Sequence, residues 1–149
     1  MIEDKAQELP ITDERMTRFW ITLQQGVDFV FKNFKRMQGG EIFIPKIPSM
    51  KIVDLAKVMA PHLPLKLVGI RPGEKLHEVM CPADDSHLTL EFNDHYVIKP
   101  TIRFTGNVDF AQNASGEKGR SVSDGFEYSS ASNKEWLTGA QLKDMIHQS

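Results

Sequence analysis

The chain has 149 residues, enough for one domain with a buried core and short for two. Its formal net charge of −2 gives no general attraction to nucleic acid or to an anionic membrane. No apolar run of about 18 residues is present and residues 1–5 carry no signal-peptide core, so neither a membrane span nor export is expected. A single cysteine, Cys81, excludes an internal disulfide, and together these features predict a cytoplasmic location.

The first regular features are a short extended segment over residues 9–12 and a polar stretch over 13–18. An amphipathic helix is predicted over 21–38, because apolar side chains recur at helical spacing. Its apolar face consists of Leu23, Val27, Val30, Phe31 and Phe34, and its other side carries Lys32, Asn33, Lys35 and Arg36. Gly39 and Gly40 favour a helix end there, since glycine adopts left-handed backbone conformations at little cost.

A strand and a second helix are predicted next. Residues 41–44 form a short apolar run typical of a buried strand. Ser49 is placed as the N-cap of the helix, and Pro61 is placed at its end. The apolar stripe of this helix consists of Ile52, Leu55, Ala56 and Met59.

The pattern after this helix predicts two further strands. Residues 65–70 form the first, and the turn-forming residues 71–73 end it. A short helix is expected over 74–80, closed by Pro82. Residues 96–98 are a candidate for the second strand.

The rest of the chain is less regular. Residues 105–133 are rich in Gly, Ser and Asn without periodicity, which predicts a surface loop or mobile tail. Thr138 and Gln141 have the spacing of a capping box before a terminal helix. The chain therefore divides into an α/β lobe over 1–104, a loop over 105–133 and a C-terminal helix over 134–149. The strands are too few for a doubly wound sheet.

Motifs for nucleotide binding and acid–base catalysis are not found in the sequence. It contains no G-x-G-x-x-G, no phosphate-binding G-x-x-x-x-G-K-[ST], no G-x-S-x-G and no C-x-x-C. His77 and His87 are expected to be solvated or at the edge of the core rather than metal ligands. Neither Tyr96 nor Tyr128 has a lysine four residues later, the helical spacing that favours proton transfer from tyrosine. No catalytic residue and no metal site is therefore predicted.

The stretch from Arg71 to Lys75 is the most informative. A strand would bring Arg71 to the edge of a sheet where ligands of α/β folds bind, and its guanidinium can donate two N–H groups to phosphate oxygens. Glu74 can accept hydrogen bonds from a ribose diol. For this pentapeptide alone, a turn with solvated side chains is the open alternative.

Arg18 is the second candidate for a phosphate contact. It lies just before the first helix, beside Phe19 and Trp20, and the alternative is a surface arginine next to two core aromatics. Arg18 and Arg71 come from separate segments, each at the junction of a loop and a regular element. That arrangement fits a pair of diphosphate ligands.

Several segments resemble a known family. Residues 10–20, 44–50, 71–78 and 126–130 are similar to the inverting UDP-N-acetylglucosamine 4,6-dehydratases, members of the extended short-chain dehydrogenase/reductases. The similarity extends over nearly the whole chain and is weakest over 105–123.

This resemblance implies a function. Enzymes of the family oxidise C4 of UDP-N-acetylglucosamine with bound NADP, eliminate water across C5–C6 and reduce C6. They start the route to pseudaminic acid and related surface or flagellar glycans. An N-terminal Rossmann domain carries their cofactor glycines and catalytic residues. The chain resembles the C-terminal, substrate-binding lobe without that domain, with Met1 inside a helix of the intact enzyme, so no cofactor is expected in this chain alone.

Residue by residue, the resemblance implies Pro10 and Thr12 beside the uracil, Arg18 and Arg71 at the diphosphate, and Glu74 at the ribose. The expected partners are a UDP-sugar, a separate Rossmann-domain chain and further copies of this chain. Three hypotheses remain open: a truncated or split dehydratase, a stand-alone binding or interaction module without catalysis, and a degenerate remnant.

Overall fold

The computed structural model describes residues 7–102, 106 and 108–148, without the side chains of residues 147 and 148. The chain forms two compact units from interleaved segments. Unit 1 comprises Met1–Trp20, Pro48–Glu78 and Ser130–Ser149, and unit 2 comprises Ile21–Ile47 and Val79–Ser129.

The chain contains both helices and strands, which confirms the predicted α/β class. The elements in chain order are β1 (Leu9–Ile11), β2 (Thr17–Phe19), α1 (Leu23–Phe34), β3 (Ile42–Pro45), β4 (Ser49–Lys51), α2 (Ile52–Met59), β5 (Leu65–Leu67), β6 (Val79–Cys81), a 3-10 helix (Ala83–Leu88), β7 (Thr89–Glu91), β8 (His95–Ile98), β9 (Arg120–Ser121), β10 (Tyr128–Ser129) and α3 (Gly139–Gln148). Within the described ranges, no helix is long and apolar enough to cross a membrane.

Unit 1 contains two pairs of strands and two packed helices. Strand β1 pairs in parallel with β5, and β2 pairs antiparallel with β4, where Arg18 lies opposite Met50. Helix α2 packs against α3, where an added Cβ on Gly139 would lie 3.7 Å from Val58. The apolar side chains buried in this unit are Ile11, Met16, Met50, Ala56, Ala60 and Leu142.

Unit 2 contains a four-stranded antiparallel sheet in the order β3-β8-β7-β9, and a separate β6-β10 pair. Its core cluster is formed by Leu90, Phe92 and Val97, with Phe43 and Phe110 packed against it. Position 119 requires glycine because the backbone there lies close to the Phe92 ring, and a Cβ would be only 2.6 Å from that ring.

The capping box predicted at α3 is confirmed. The Thr138 amide donates to Gln141 Oε1 at 2.9 Å, and the Gln141 amide donates to Thr138 Oγ1 at 3.3 Å. Helix α1 begins with the same motif, in which the Gln25 amide donates to Thr22 Oγ1 at 3.2 Å. Both helices thus begin where their sequences satisfy the first free amides.

The predicted C-terminus of α1 is wrong. The helix ends at Phe34, before Gly39 and Gly40, although both glycines have positive φ. The backbone amide of Arg36 donates to the carbonyl of Asn33 instead of continuing the helical pattern. The buried Arg36 side chain forms ion pairs with Asp94 and Glu117, which fix the chain in a turn. The spacing of apolar residues along the helix does not predict this turn.

The apolar face of α1 is exposed in this chain. Leu23, Phe31 and Phe34 are 87%, 65% and 64% exposed, while Asn33 and Arg36 are buried. The side of the helix that packs in unit 2 carries Asn33 and Phe29, whose ring lies 6.5 Å from that of His95, while Lys32 and Lys35 are exposed. Clustered exposed apolar side chains of this kind are uncommon on the surface of a soluble monomer.

The predicted helix over 74–80 is wrong. The backbone of this segment bonds to other parts of unit 1: the Leu76 carbonyl accepts from the Thr17 amide, and the Glu78 carbonyl accepts from the Ser130 amide. These groups are then unavailable for bonds within a helix. Gly73 also has a φ of +82°, which turns the chain away from a helical path.

Two further predictions need correction around α2 and β5. Ser49 lies in β4 rather than at an N-cap; the N-cap of α2 is Lys51, whose side chain makes no capping bond. The Ser49 hydroxyl instead accepts from Asn133 Nδ2 at 3.0 Å. Strand β5 ends at Leu67, earlier than the predicted 65–70, and Gly69 with a φ of +86° follows.

The segment 105–133 is not wholly irregular, because it contributes β9 and β10. Residues 103–105 and 107, next to the predicted boundary at 104, lie outside the described residues. Helix α3 begins at Gly139, within the predicted 134–149. The division of the chain into 1–104, 105–133 and 134–149 stays a prediction.

Candidate functional site

All five side chains predicted to bind substrate belong to unit 1. Pro10 is exposed in β1, where it lies opposite Lys66 of β5. Thr12 follows the strand, and its Oγ1 donates to Glu74 Oε1 at 3.4 Å. The structure therefore brings together Thr12 and Glu74, which are far apart in sequence.

A turn carries Arg71 and Glu74. The Glu74 amide donates to the Arg71 carbonyl at 3.0 Å, and Glu74 Oε2 accepts from the Arg71 amide at 3.2 Å. The carboxylate of Glu74 thus fixes the backbone of Arg71. The Arg71 side chain is exposed and makes no hydrogen bond or ion pair with any described residue, so its guanidinium is available to an anion.

Arg18 has a different environment. Its Nη1 donates to the carbonyls of Thr17 at 2.7 Å and Leu76 at 3.2 Å, and its Nη2 donates to the carbonyl of Lys75 at 2.8 Å. Its Nε lies 3.4 Å from Glu78 Oε1. Arg18 therefore connects β2 to the segment 71–78, and one Nη2 N–H is left over for another acceptor.

A chain of hydrogen bonds next to Arg18 was not predicted. His77 Nδ1 lies 2.8 Å from Thr17 Oγ1, which lies 2.7 Å from Ser130 Oγ. Ser130 Oγ accepts from the Glu78 amide at 2.9 Å. The three side chains come from distant parts of the sequence, and no motif or spacing there indicates their contact.

Asp13 lies at the edge of the same region. Its carboxylate accepts two hydrogen bonds from the Arg15 side chain, at 3.0 and 2.8 Å. Chiefly these bonds, together with the bond from the Arg15 amide, lower the pKa of Asp13 to about 2. Asp13 is therefore a carboxylate at neutral pH, and it follows Thr12 of the candidate site in sequence.

Unit 2 contains a separate network of ionised side chains. Arg36 Nη2 donates to Asp94 Oδ1 at 2.9 Å, and Arg36 Nε lies 2.8 Å from Glu117 Oε2. Burial would raise the pKa of Asp94, but hydrogen bonds from Lys32, His95 and Arg36 outweigh it and keep the pKa well below its usual range. Burial lowers the pKa of His95 despite its bond to Asp94. The network connects the end of α1 to β8 and to the segment around Glu117.

A cavity of about 420 Å³ is also found in unit 2, and none of its lining residues is a predicted site residue. It is lined by Lys46, Glu91, Phe92, Asn93, Lys118, Gly119 and Arg120. Lys46 and Arg120 both donate to the Glu91 carboxylate, so one of these two positive charges is balanced by it. Among the described side chains, no group of three or more His, Cys, Asp or Glu is placed to bind a metal.

Comparison with known proteins confirms the resemblance seen in the sequence. The chain is 59% identical over 148 residues to the UDP-N-acetylglucosamine 4,6-dehydratase (inverting) of Campylobacter jejuni serotype O:2. It is 57% identical over the same length to the enzyme of that name from serotype O:23/36. Each match covers 99% of this chain and 44% of the relative, so the chain spans less than half the length of these curated relatives.

More distant matches agree with this relationship. The UDP-glucose 4-epimerase of Rickettsia canadensis is 32% identical over 98 residues, which cover 63% of this chain and 29% of the epimerase. The X-ray structure of Pen from Bacillus thuringiensis matches with a TM-score of 0.74 and 26% identity, over 97% of this chain and 42% of Pen.

A family model assigns the chain directly. Residues 1–100, about two thirds of the sequence, match the model described as polysaccharide biosynthesis protein. The two matches to dehydratases fit this assignment, because their names describe the modification of a nucleotide sugar. The chain therefore belongs to the polysaccharide biosynthesis protein family.

Proposed function

We propose that this chain is the UDP-sugar-binding part of a UDP-N-acetylglucosamine 4,6-dehydratase and that it is not catalytic alone. The observation that carries the proposal is the turn at Arg71. Its backbone is fixed by Glu74, while its guanidinium is exposed and unpaired among the described residues. A fixed backbone reduces the conformational entropy lost when an arginine binds a phosphate.

The nucleotide is proposed to extend along the edge of unit 1. Arg71 binds the diphosphate through paired N–H groups, and Arg18 adds its remaining Nη2 N–H. Glu74 accepts from the ribose hydroxyls with the lone pairs that Thr12 and the Arg71 amide leave unused. Pro10 and Thr12 lie beside the uracil.

The chemistry is proposed to require a second component. In the whole enzyme, a Rossmann domain supplies NADP and the acid and base for oxidation at C4, loss of water and reduction at C6, a lyase reaction. The exposed apolar face of α1 supports a partner of this kind or self-association. Surface glycans derived from pseudaminic acid are the proposed destination. A cytoplasmic location is proposed as well, which the unpaired Cys81 fits.

Calorimetric titration of UDP into the 149-residue chain tests the proposal. Arg71→Ala is expected to weaken binding at least tenfold, because each bond from its guanidinium to a phosphate contributes about 1.5–3 kcal/mol. Lys75→Ala is the matched control, since this neighbouring cation is exposed and its side chain makes no hydrogen bond or ion pair with a described residue. Equal losses in both variants, or a wild type that binds no UDP, would contradict the proposal for this chain.

A further inference from the structure

The hydrogen-bond chain of Ser130, Thr17 and His77 has a fixed direction. Ser130 is completely buried and Thr17 is 4% exposed, so neither hydroxyl exchanges its partner for water. Ser130 Oγ accepts from the Glu78 amide. The hydroxyl proton of Ser130 then has one acceptor within reach among the described residues, Thr17 Oγ1 at 2.7 Å.

This direction determines which nitrogen of His77 carries its proton. Since Thr17 accepts from Ser130, the Thr17 hydroxyl donates onward to His77 Nδ1 at 2.8 Å. Nδ1 is therefore an acceptor, and the ring proton is on Nε2. The opposite direction would leave the Ser130 proton buried without an acceptor in the described part of the chain, an arrangement that folded proteins avoid.

The proton on Nε2 is available to a ligand, because this nitrogen has no partner among the described residues and is not buried. The buried side-chain nitrogens without a partner, among the described residues, are Trp20 Nε1 and His95 Nε2. His77 is half-buried, so its unpaired Nε2 is open to solvent. It also lies next to the candidate site, because the carbonyl of its neighbour Leu76 accepts from Arg18 Nη1 at 3.2 Å.

We propose that His77 binds substrate by donating a hydrogen bond from Nε2 to an oxygen of the uridine diphosphate group, and that Thr17 and Ser130 position it by fixing the neutral tautomer. This inference rests on the proposed function of unit 1. The acceptor is either a phosphate oxygen or a uracil carbonyl, since both accept from a neutral imidazole. Thr17 and Ser130 act through His77 and do not touch the ligand.

The tautomer can be measured without a ligand. Long-range ¹H–¹⁵N correlation spectra of the histidine-labelled chain are expected to show His77 protonated on Nε2 alone, in the wild type and in Thr17→Ser. Thr17→Val keeps the shape but removes the hydroxyl, and should give the mixed tautomer shifts of a free histidine. If this variant does not fold, Ser130→Ala serves the same purpose. A wild type protonated on Nδ1, or shifts unchanged by removal of the hydroxyls, overturns the positioning role.

Titration with uridine and with UDP then tests the contact. UDP should shift the His77 Nε2 resonance, and His77→Phe should weaken UDP binding roughly three- to tenfold, as expected for one hydrogen bond. A shift already present with uridine assigns the uracil carbonyl, and a shift with UDP alone assigns a phosphate oxygen. Shifts at the Arg71 amide without any at His77 refute the inference and leave the proposed function standing. No shift anywhere in unit 1 refutes both.

Discussion

Replacing Arg18 with methionine is expected to destabilise unit 1, whereas the same change at Arg71 is not. Arg18 donates three hydrogen bonds to backbone carbonyls, two of them half-buried, and its side chain is 24% exposed. A bond from a charged donor contributes about 1.5–3 kcal/mol, and partial exposure lets water replace some of that. The expected loss for Arg18→Met is therefore about 2–4 kcal/mol. Arg71→Met removes no side-chain hydrogen bond or ion pair to described residues and should change stability by less than about 0.5 kcal/mol.

Urea unfolding followed by tryptophan fluorescence measures this difference. Both tryptophans, Trp20 and Trp136, belong to unit 1, so the signal reports on the unit that carries the substitution. With a slope of about 1–3 kcal/mol per molar urea, the Arg18→Met midpoint should fall by roughly 1 M or more. Equal midpoints for the wild type and Arg18→Met would refute the connecting role of this arginine. A large fall for Arg71→Met would refute its description as a free ligand.

Self-association and acid sensitivity provide two further predictions. Replacing both Phe31 and Phe34 with serine removes exposed apolar surface and should shift the chain toward monomer in size-exclusion chromatography. The control substitution Lys35→Ser should cause no such shift. A wild-type chain that is monomeric and binds no hydrophobic dye would contradict this prediction. Asp94 and His95 have lowered pKa values in the folded state, so the unfolded state binds more protons in acid. The stability of unit 2 should be complete above pH 6.5. It should fall below pH 6.5 as His95 of the unfolded state takes up a proton, and fall further below pH 3.8 as Asp94 of the unfolded state does. A thermal midpoint independent of pH across this range would contradict this prediction.

Local sequence patterns predict those elements whose stability is local. The periodicity of α1 and α2 and the Thr138–Gln141 capping box depend on neighbours within a few residues, and the structure confirms these three. The strand predicted at 41–44 is found as β3, but Ile44 is its only buried residue and its pairing partner is the distant β8.

Contacts between distant segments account for what the sequence did not predict. The backbone of 74–78 bonds to β2 and Ser130, so it forms no helix despite its local pattern. Strand β2 lies in a polar stretch and exists because it pairs with β4. The ion pairs of Arg36 and the hydrogen bonds of His77 join residues that no spacing rule connects.

In the candidate site, too, residue types predict one part, and contacts between distant segments determine the rest. The residue types at Arg71 and Glu74 predicted their chemistry, and the structure places them on one turn. The sequence does not predict that the Glu74 carboxylate would accept from the Arg71 amide, or that most N–H groups of Arg18 would donate to backbone carbonyls. The contribution of each of these residues to UDP binding stays a prediction.

The central claim is that this chain supplies the substrate-binding part of a dehydratase. Joining it to the portion of the Campylobacter jejuni relative that it does not match, and assaying UDP-N-acetylglucosamine for the 4-keto-6-deoxy product, tests that claim most directly. The account predicts turnover by the joined protein, none by the 149-residue chain with added NADP, and loss of most turnover on Arg71→Ala but not on Lys75→Ala. A folded, NADP-loaded joined protein without turnover, or turnover by the chain alone, would contradict it.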